Sequence, residues 1–289
     1  MNVIEIRPRG FCPGVYHAIQ LVEEAINNPQ VRRPITILGM IVHNRHVVDD
    51  LARKGVVTLD DPTKTRQELA DQIQDGTVII TAHGILPEVI SSLQKRGIDV
   101  IDASCRDVLR TQQLVKQKLE EGFDVLYLGK EGHPEAESVV LLSDKVHLIS
   151  SETDLNSLSI KNHNLFVTNQ TTFSIRDLAS LRSAISIKYP KSVFSDEICD
   201  ATRMRQEALI KYNQGVDLCL IVGDPRSNNS KNLVKISEQE THTLTYLVGS
   251  VEDLKPSMFE GVQTVSVSSG ASTPNYLTQS VIDYCRNLN

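Results

Sequence analysis

Three single cysteines, Cys12, Cys105 and Cys199, stand 93 and 94 residues apart, each at the end of an apolar run and the start of a helical pattern. Near-equal spacing with the same local context predicts three copies of one folding unit, each delivering one thiolate to a shared point. At 289 residues the chain has room for two or three domains, each able to bury a core.

The pattern after each cysteine supports the repeat. Pro13 suits the first turn of a helix, and Val15, Ile19, Val22 and Ile26 follow at helical spacing. Short apolar segments at Ile35–Val42, Val56–Leu59, Val78–Ile80 and Val100–Ile101 then alternate with helical stretches, which is the signature of parallel α/β units. After Cys105 the order recurs, with a helix through Val108, Val115 and Leu119 and strands near Val125–Leu128, Val146–Ile149, Leu165–Val167 and Val193–Phe194. The third copy has a helix through Met204 and Ala208, strands at Leu218–Val222, Thr243–Val248 and Thr264–Val267, and a closing helix near Tyr276–Arg286. It lacks a fourth strand. Val3–Ile6, directly before Cys12, would supply one, so the N-terminal strand is expected to join the third sheet and close a three-lobed ring. The expected domains are 13–104, 105–198 and 199–289, with 1–12 packing on the last.

Apolar residues make up 40% and charged residues 23% of the chain, as in ordinary globular proteins. The net charge of −6, from 30 basic and 36 acidic residues, argues against a nucleic-acid surface. The start reads as a strand rather than a signal peptide, and no run reaches the roughly 20 apolar residues of a membrane span. A cytoplasmic protein is expected, in which scattered cysteines serve as ligands or inert thiols rather than disulfides.

In open α/β sheets ligands bind beyond the C-terminal ends of the strands. There the first copy offers His43 and His83, the second His133-Pro134-Glu135 and Thr171-Thr172, the third Ser227-Asn228-Asn229-Ser230 and Ser272. His43, His133 and Asn229 follow their cysteines by 31, 28 and 30 residues, and His83, Thr171 and Ser272 by 71, 66 and 73. Thiolates at helix N-termini suit a metal, because the helix dipole favours ionised sulfur. Three such ligands are one short of the usual complement of a [4Fe–4S] cluster, which would leave an open iron site. The histidines, hydroxyls and amides suit a phosphate or diphosphate, and Glu135, the one acid among them, is the candidate proton donor or relay.

Plainer roles suffice elsewhere. Cys219 and Cys285 read as packing residues, and His17, His46, His147, His163 and His242 as surface or capping residues. Ser227-Asn228-Asn229-Ser230 also reads as a helix cap, and Gly39 and Gly84 as turn residues, since no spaced glycine set of dinucleotide type opens a helix.

With these residues in place the chain resembles the 4-hydroxy-3-methylbut-2-enyl diphosphate reductase (IspH, or LytB) family over nearly its full length. The resemblance rests on Pro8-Arg9-Gly10-Phe11-Cys12, Val42-His43-Asn44-Arg45, Ala82-His83-Gly84, Asp102-Ala103-Ser104-Cys105, Gly132-His133-Pro134-Glu135, Asn169-Gln170-Thr171-Thr172, Ile198-Cys199, Arg205-Gln206-Glu207 and Gly270-Ala271-Ser272. It implies a trefoil of three α/β domains around one [4Fe–4S] cluster held by Cys12, Cys105 and Cys199. It also implies a diphosphate pocket at His43, His83, His133, Ser227, Asn228, Asn229 and Ser272. Glu135, Thr171 and His133 would act on the substrate hydroxyl, which leaves as water as two electrons enter from a flavodoxin or ferredoxin, giving isopentenyl and dimethylallyl diphosphate.

Two stretches depart from the family pattern. Where the family usually has Pro and a Val-Thr-Lys-like run after its second cysteine, this chain has Arg106-Asp107-Val108-Leu109-Arg110, and the family's Ser-Ser-Asn is Ser227-Asn228-Asn229. Two other classes are therefore carried forward: a paralogue with the same cluster acting on another small anionic substrate, and a non-catalytic iron–sulfur redox sensor.

Overall fold

The computed structural model describes residues 1–195 and 199–288. Ile198 and the expected domain limits at 198 and 289 fall outside these residues. In chain order the first elements are β1 (Asn2–Glu5), α1 (Pro13–Asn27), β2 (Ile35–Leu38), α2 (Arg45–Arg53), β3 (Val57–Leu59), α3 (Arg66–Asp71), β4 (Thr77–Ile80), α4 (Pro87–Lys95) and β5 (Asp99–Asp102). The second series is α5 (Arg106–Glu120), β6 (Asp124–Leu128), α6 (Pro134–Val140), β7 (Val146–Ile149), α7 (Glu152–Ser157), β8 (Leu165–Asn169), α8 (Ile175–Lys188) and β9 (Val193–Phe194). The third is α9 (Asp200–Tyr212), β10 (Leu218–Val222), α10 (Asn228–Glu240), β11 (Leu244–Val248), β12 (Thr264–Ser269) and α11 (Asn275–Asn287), with two short 3₁₀ turns between β11 and β12.

The strands form three four-stranded sheets in which every pairing is parallel, ordered β3-β2-β4-β5, β7-β6-β8-β9 and β11-β10-β12-β1. The three orders are one topology. The place that β5 and β9 take at the end of their own repeats is taken in the third sheet by β1, paired Val3 to Val265 and Glu5 to Val267. This is the closure expected from the missing fourth strand.

The central strands are Val, Leu and Ile runs buried on both faces, as the helices of a parallel sheet require. Ile35–Leu38, Thr77–Ile80 and Leu218–Val222 are buried at every position. Separate cores form around each sheet, one from Leu38, Leu69, Val78, Ile80 and Leu93, and another from Leu218, Leu220, Val265, Val267 and Val281. Beneath the third sheet lies a buried polar network. Asn213 Nδ2 donates to Ser237 Oγ (2.7 Å) and Thr241 Oγ1 (2.9 Å), and Ser266 donates back to Asn213 Oδ1. Each group in this network has its own partner, which is the condition for burying it cheaply.

The described chain divides into two compact units. One comprises Met1–Val15, His43–Val47 and Cys199–Asn289, the other Tyr16–Val42 and Val48–Ile198. Among the described residues no helix is long and apolar enough to cross a membrane.

Closure by β1 carries Ile6 into the interior, 1% exposed, with its amide on Val267 O at 2.9 Å. Ile6→Ala should therefore cost roughly 3 kcal/mol, seen as a lower urea midpoint with an unchanged slope. A loss within error of zero would show that β1 does not carry this core.

Candidate active site

Each of the three spaced cysteines sits where a strand's exit loop becomes a helix. Cys12 precedes α1 and its Sγ accepts the Val15 amide at 3.4 Å. Cys105 and Cys199 are the N-caps of α5 and α9, both in extended backbone conformation, and neither spends its sulfur on a capping bond. Cys199 donates instead to Thr202 Oγ1 at 3.1 Å. All three are half-buried and none is in a disulfide, whereas Cys219 and Cys285 are fully buried. Burial pushes the Cys219 thiol up and that of Cys285 to about 11, so these two are held as packing thiols. The donor set that remains is three accessible thiols at positive helix ends, which fits an iron–sulfur cluster.

In the second unit, the loops after β4 and β6 and the start of α5 pack together. Cys105 N–H bonds Ala82 O at 3.0 Å. Gly84, at φ +76°, lies against α5 so closely that a Cβ would stand 2.9 Å from Val108 Cγ1 and 3.2 Å from Gln112 Nε2. This contact seats His83, whose ring meets that of His133 edge-on at 5.5 Å. His133 caps α6, its Nδ1 accepting the Glu135 amide at 3.2 Å, while Pro134 supplies the first helical residue without a wasted N–H.

That short helix start puts Glu135 inside the protein, 2% exposed. Thr171 answers both carboxyl oxygens, its amide donating to Oε1 at 2.7 Å and its hydroxyl to Oε2 at 3.1 Å. Burial raises the Glu135 pKa to about 7; the two Thr171 bonds oppose the rise, the Asp107 charge adds to it and Tyr127 opposes it weakly. A carboxyl poised there holds a proton at neutral pH and can release it. Tyr127, fully buried, has its own phenol pushed up by burial and by the Glu135 charge.

In the first unit, Ser272 Oγ donates to His43 O at 3.1 Å, joining the loops after β12 and β2. Ser227 caps α10 by accepting the Ser230 amide at 3.2 Å, so the capping reading of Ser227-Asn228-Asn229-Ser230 holds. Asn229 goes further. Its Oδ1 takes the Ala271 amide at 2.9 Å, which aims a buried Nδ2 that has no acceptor among the described residues. An orphaned amide donor at a helix N-terminus is suited to an anionic oxygen. Asp224, in the loop after β10, accepts the amide of Arg45 from the loop after β2 and that of Arg226 in its own loop, both at 2.8 Å. Burial pushes Asp224 up, but those amides and the Arg226 guanidinium outweigh it and hold the carboxyl low. A cleft of about 440 Å³ opens beside it, lined by Arg45, His46 and Arg226.

The first unit thus holds Cys12, Cys199, His43, Ser227, Asn228, Asn229 and Ser272, and the second holds Cys105, His83, His133, Glu135 and Thr171. Of the residues set aside as surface or capping histidines, His17, His163 and His242 are exposed, His147 pairs with Asp124 at 3.6 Å, and His46 lines the Asp224 cleft. Sequence reasoning missed Tyr127, Asp224 and the setting of Arg205. Tyr127 is hidden in an apolar strand, and Asp224 reads as a turn residue before Pro225. Arg205 is 2% exposed although it lies in a helix rich in charge, and its place in a family motif was its only signal.

The family model described as LytB protein matches residues 3–286. The chain is 44% identical over 288 residues to the 4-hydroxy-3-methylbut-2-enyl diphosphate reductase of Bacillus pumilus, covering 99% of this chain and 91% of that protein. It is 45% identical over 285 residues to the protein of the same name from Bacillus licheniformis, covering 98% and 90%. Among solved structures it matches the E-1-hydroxy-2-methyl-but-2-enyl-4-diphosphate reductase of Plasmodium falciparum with a TM-score of 0.91 at 31% identity, over 99% of this chain and 88% of that one. A second (E)-4-hydroxy-3-methyl-but-2-enyl diphosphate reductase matches at TM-score 0.69 and 30% identity over the whole of both chains. On sequence and on fold alike, the chain belongs to the LytB protein family.

Proposed function

We propose that this chain is an iron–sulfur reductase that removes the allylic hydroxyl of 4-hydroxy-3-methylbut-2-enyl diphosphate. Two electrons and two protons are consumed, one water leaves, and isopentenyl and dimethylallyl diphosphate form. The observation that carries this reading is the Glu135–Thr171 pair, a buried carboxyl with its pKa at about 7 held at both oxygens by one residue. A redox sensor has no use for such a group.

Cys12, Cys105 and Cys199 would hold the [4Fe–4S] cluster, leaving one open iron site. When bound, the cluster supplies electrons one at a time and an electron-withdrawing iron. Glu135 holds the proton destined for the departing hydroxyl. The Thr171 hydroxyl donates to Glu135 Oε2 while the carboxyl is ionised; when Glu135 carries its proton the bond turns round, Thr171 Oγ accepting from the carboxyl and donating to the substrate hydroxyl, so it orients that hydroxyl and completes the relay. His133, fixed by its bond to the Glu135 amide, presents its other ring nitrogen beside His83. His43, His83, His133, Ser227, Asn228, Asn229 and Ser272 would bind the diphosphate, which needs many donors and gains most from charge-assisted ones. The domain limits 13–104, 105–198 and 199–289, with 1–12 on the last, belong to the same proposal. So do a flavodoxin or ferredoxin donor and a cytoplasmic site of action.

Anaerobic reconstitution followed by iron and sulfide counting and an assay of the prenyl substrate with a low-potential reductant tests the whole. Bound iron and sulfide without isopentenyl or dimethylallyl product would leave the paralogue reading in its place. Glu135→Gln should keep the cluster's absorption spectrum and lower kcat roughly 10²–10⁴-fold.

Because the raised carboxyl is protonated below its pKa, wild-type kcat should fall as pH rises through about 7, and Glu135→Gln should lack that limb. A variant keeping the same limb would clear Glu135 of the role.

Asn229→Asp keeps an acceptor for the Ala271 amide but replaces the orphaned donor with a negative oxygen. It should raise KM roughly 10–100-fold, the worth of one hydrogen bond to a charged group, and an unchanged KM would remove Asn229 from the pocket.

A further inference from the structure

Arg205 is the one buried arginine in the set, and neither the proton relay nor the diphosphate pocket uses it. It lies on α9 six residues after Cys199 and is 2% exposed. Its two terminal nitrogens fork onto the loop that leads into Cys12, Nη1 donating to Pro8 O at 2.9 Å and Nη2 to Gly10 O at 2.8 Å. The same loop is held from the other side. Gly10 N–H donates to Ser269 Oγ at 2.9 Å and Cys12 N–H to Ala271 O at 3.0 Å. Gly10 itself sits at φ +76° against Asn275, a conformation that a side chain would strain.

Two carbonyls satisfy two donors but carry no net charge, and the buried Nε has no acceptor among the described residues. Burying a guanidinium without a counter-ion costs several kcal/mol. Burial does lower the Arg205 pKa, and the charges that oppose the loss are those of Cys12 and Cys199; among the described residues no carboxylate joins them. A neutral side chain would satisfy the loop only in part and the thiolates not at all.

We infer that Arg205 is a positioning residue that fastens the Cys12 loop to α9 and supplies the fixed positive charge facing the Cys12 and Cys199 thiolates. The inference rests on the reading of these cysteines as cluster ligands. A positive charge held in a dry site favours the reduced, more negative cluster, since net charge and hydrogen bonding around the sulfurs are what set such potentials. Arg205 therefore makes the electron easier to accept, and its fork, not its charge alone, fixes where Cys12 stands.

The two roles separate by substitution. Wild type, Arg205→Lys and Arg205→Met are reconstituted anaerobically, the cluster is titrated redoxically by electron paramagnetic resonance, and amide hydrogen exchange is followed across residues 7–12. Arg205→Lys should keep the wild-type potential while exchange at Gly10 and Cys12 speeds at least tenfold. Arg205→Met should speed exchange equally and also shift the reduction equilibrium about tenfold against the reduced state, 59 mV for one electron. Should Arg205→Met not fold, Arg205→Gln takes its place as the neutral variant. A neutral variant at the wild-type potential overturns the charge role, and Arg205→Lys with wild-type exchange overturns the positioning role. Absence of iron and sulfide from the wild-type protein is a different failure, because it removes the cluster reading beneath the inference.

Discussion

A parallel strand is worth little until both its edges and both its faces are covered, and the third sheet meets that requirement only with a strand from the other end of the chain. β1 pairs with β12 through four residues, and much of the rest follows. The pairing ends at Glu5 and the chain leaves the sheet at the same end as β10 and β12, because parallel strands deliver their exits together. Cys12 thus belongs to the compact unit that contains Cys199, although they stand 187 residues apart in the sequence. Ala271 and Ser269, at the exit of β12, hold the Cys12 loop for the same reason. Glu5 reinforces the closure with ion pairs to Arg9 at 3.2 Å and Arg286 at 2.6 Å, linking the first strand to the last helix. The Arg286 pair is partly exposed and adds little stability, whereas the Arg9 pair is largely buried; backbone pairing and the burial of Ile6 carry the closure with it.

The second unit solves a different problem, that of keeping an ionisable group inside without losing its proton for good. Burial alone would drive Glu135 far from its normal range, and the two Thr171 donors bring it back toward neutrality. Neither effect suffices by itself. Without Thr171 the carboxyl would hold its proton too tightly to give it up, and without burial it would have lost it already. The geometry that balances them is local: Pro134 and the His133 cap fix the first turn of α6, and the exit of β8 places Thr171 against it.

How much of this was readable beforehand depends on the range of the interaction involved. The strands, the helices and the β1 closure follow from periodicity and from a missing element in a repeat, both of which are properties of the chain alone. Ser227 as a cap and Gly84 as a turn are likewise local. His133 was expected as a substrate-facing group, yet its Nδ1 is engaged by the next helix's amide, which only coordinates reveal. Tyr127 and Asp224 could not be read, because an apolar strand and a turn each have an adequate reason to contain them. Asp107 was noted as a departure beside a cysteine, but its action on Glu135 depends on how α5 packs against α6. Burial and through-space charge are set by packing, and a sequence reports them only through pattern.

The three cysteine-bearing helix starts also differ in a way that the repeat conceals. α1 has no acid in its first turn, whereas α5 has Asp107 and α9 has Asp200. A carboxylate there suits the helix dipole but competes with a thiolate for the same positive end. In both helices an arginine three residues on answers the acid, Arg110 to Asp107 at 3.8 Å and Arg203 to Asp200. The two pairs are partly exposed and screened by solvent, so the local field at the sulfurs is only partly restored. Arg205 is buried and, among the described residues, no acid pairs with it; the charges that support its ionised form are those of Cys12 and Cys199. On the inference drawn for Arg205, the helix starts that first drew attention to Cys12 and Cys199 act together with one buried side chain further along α9.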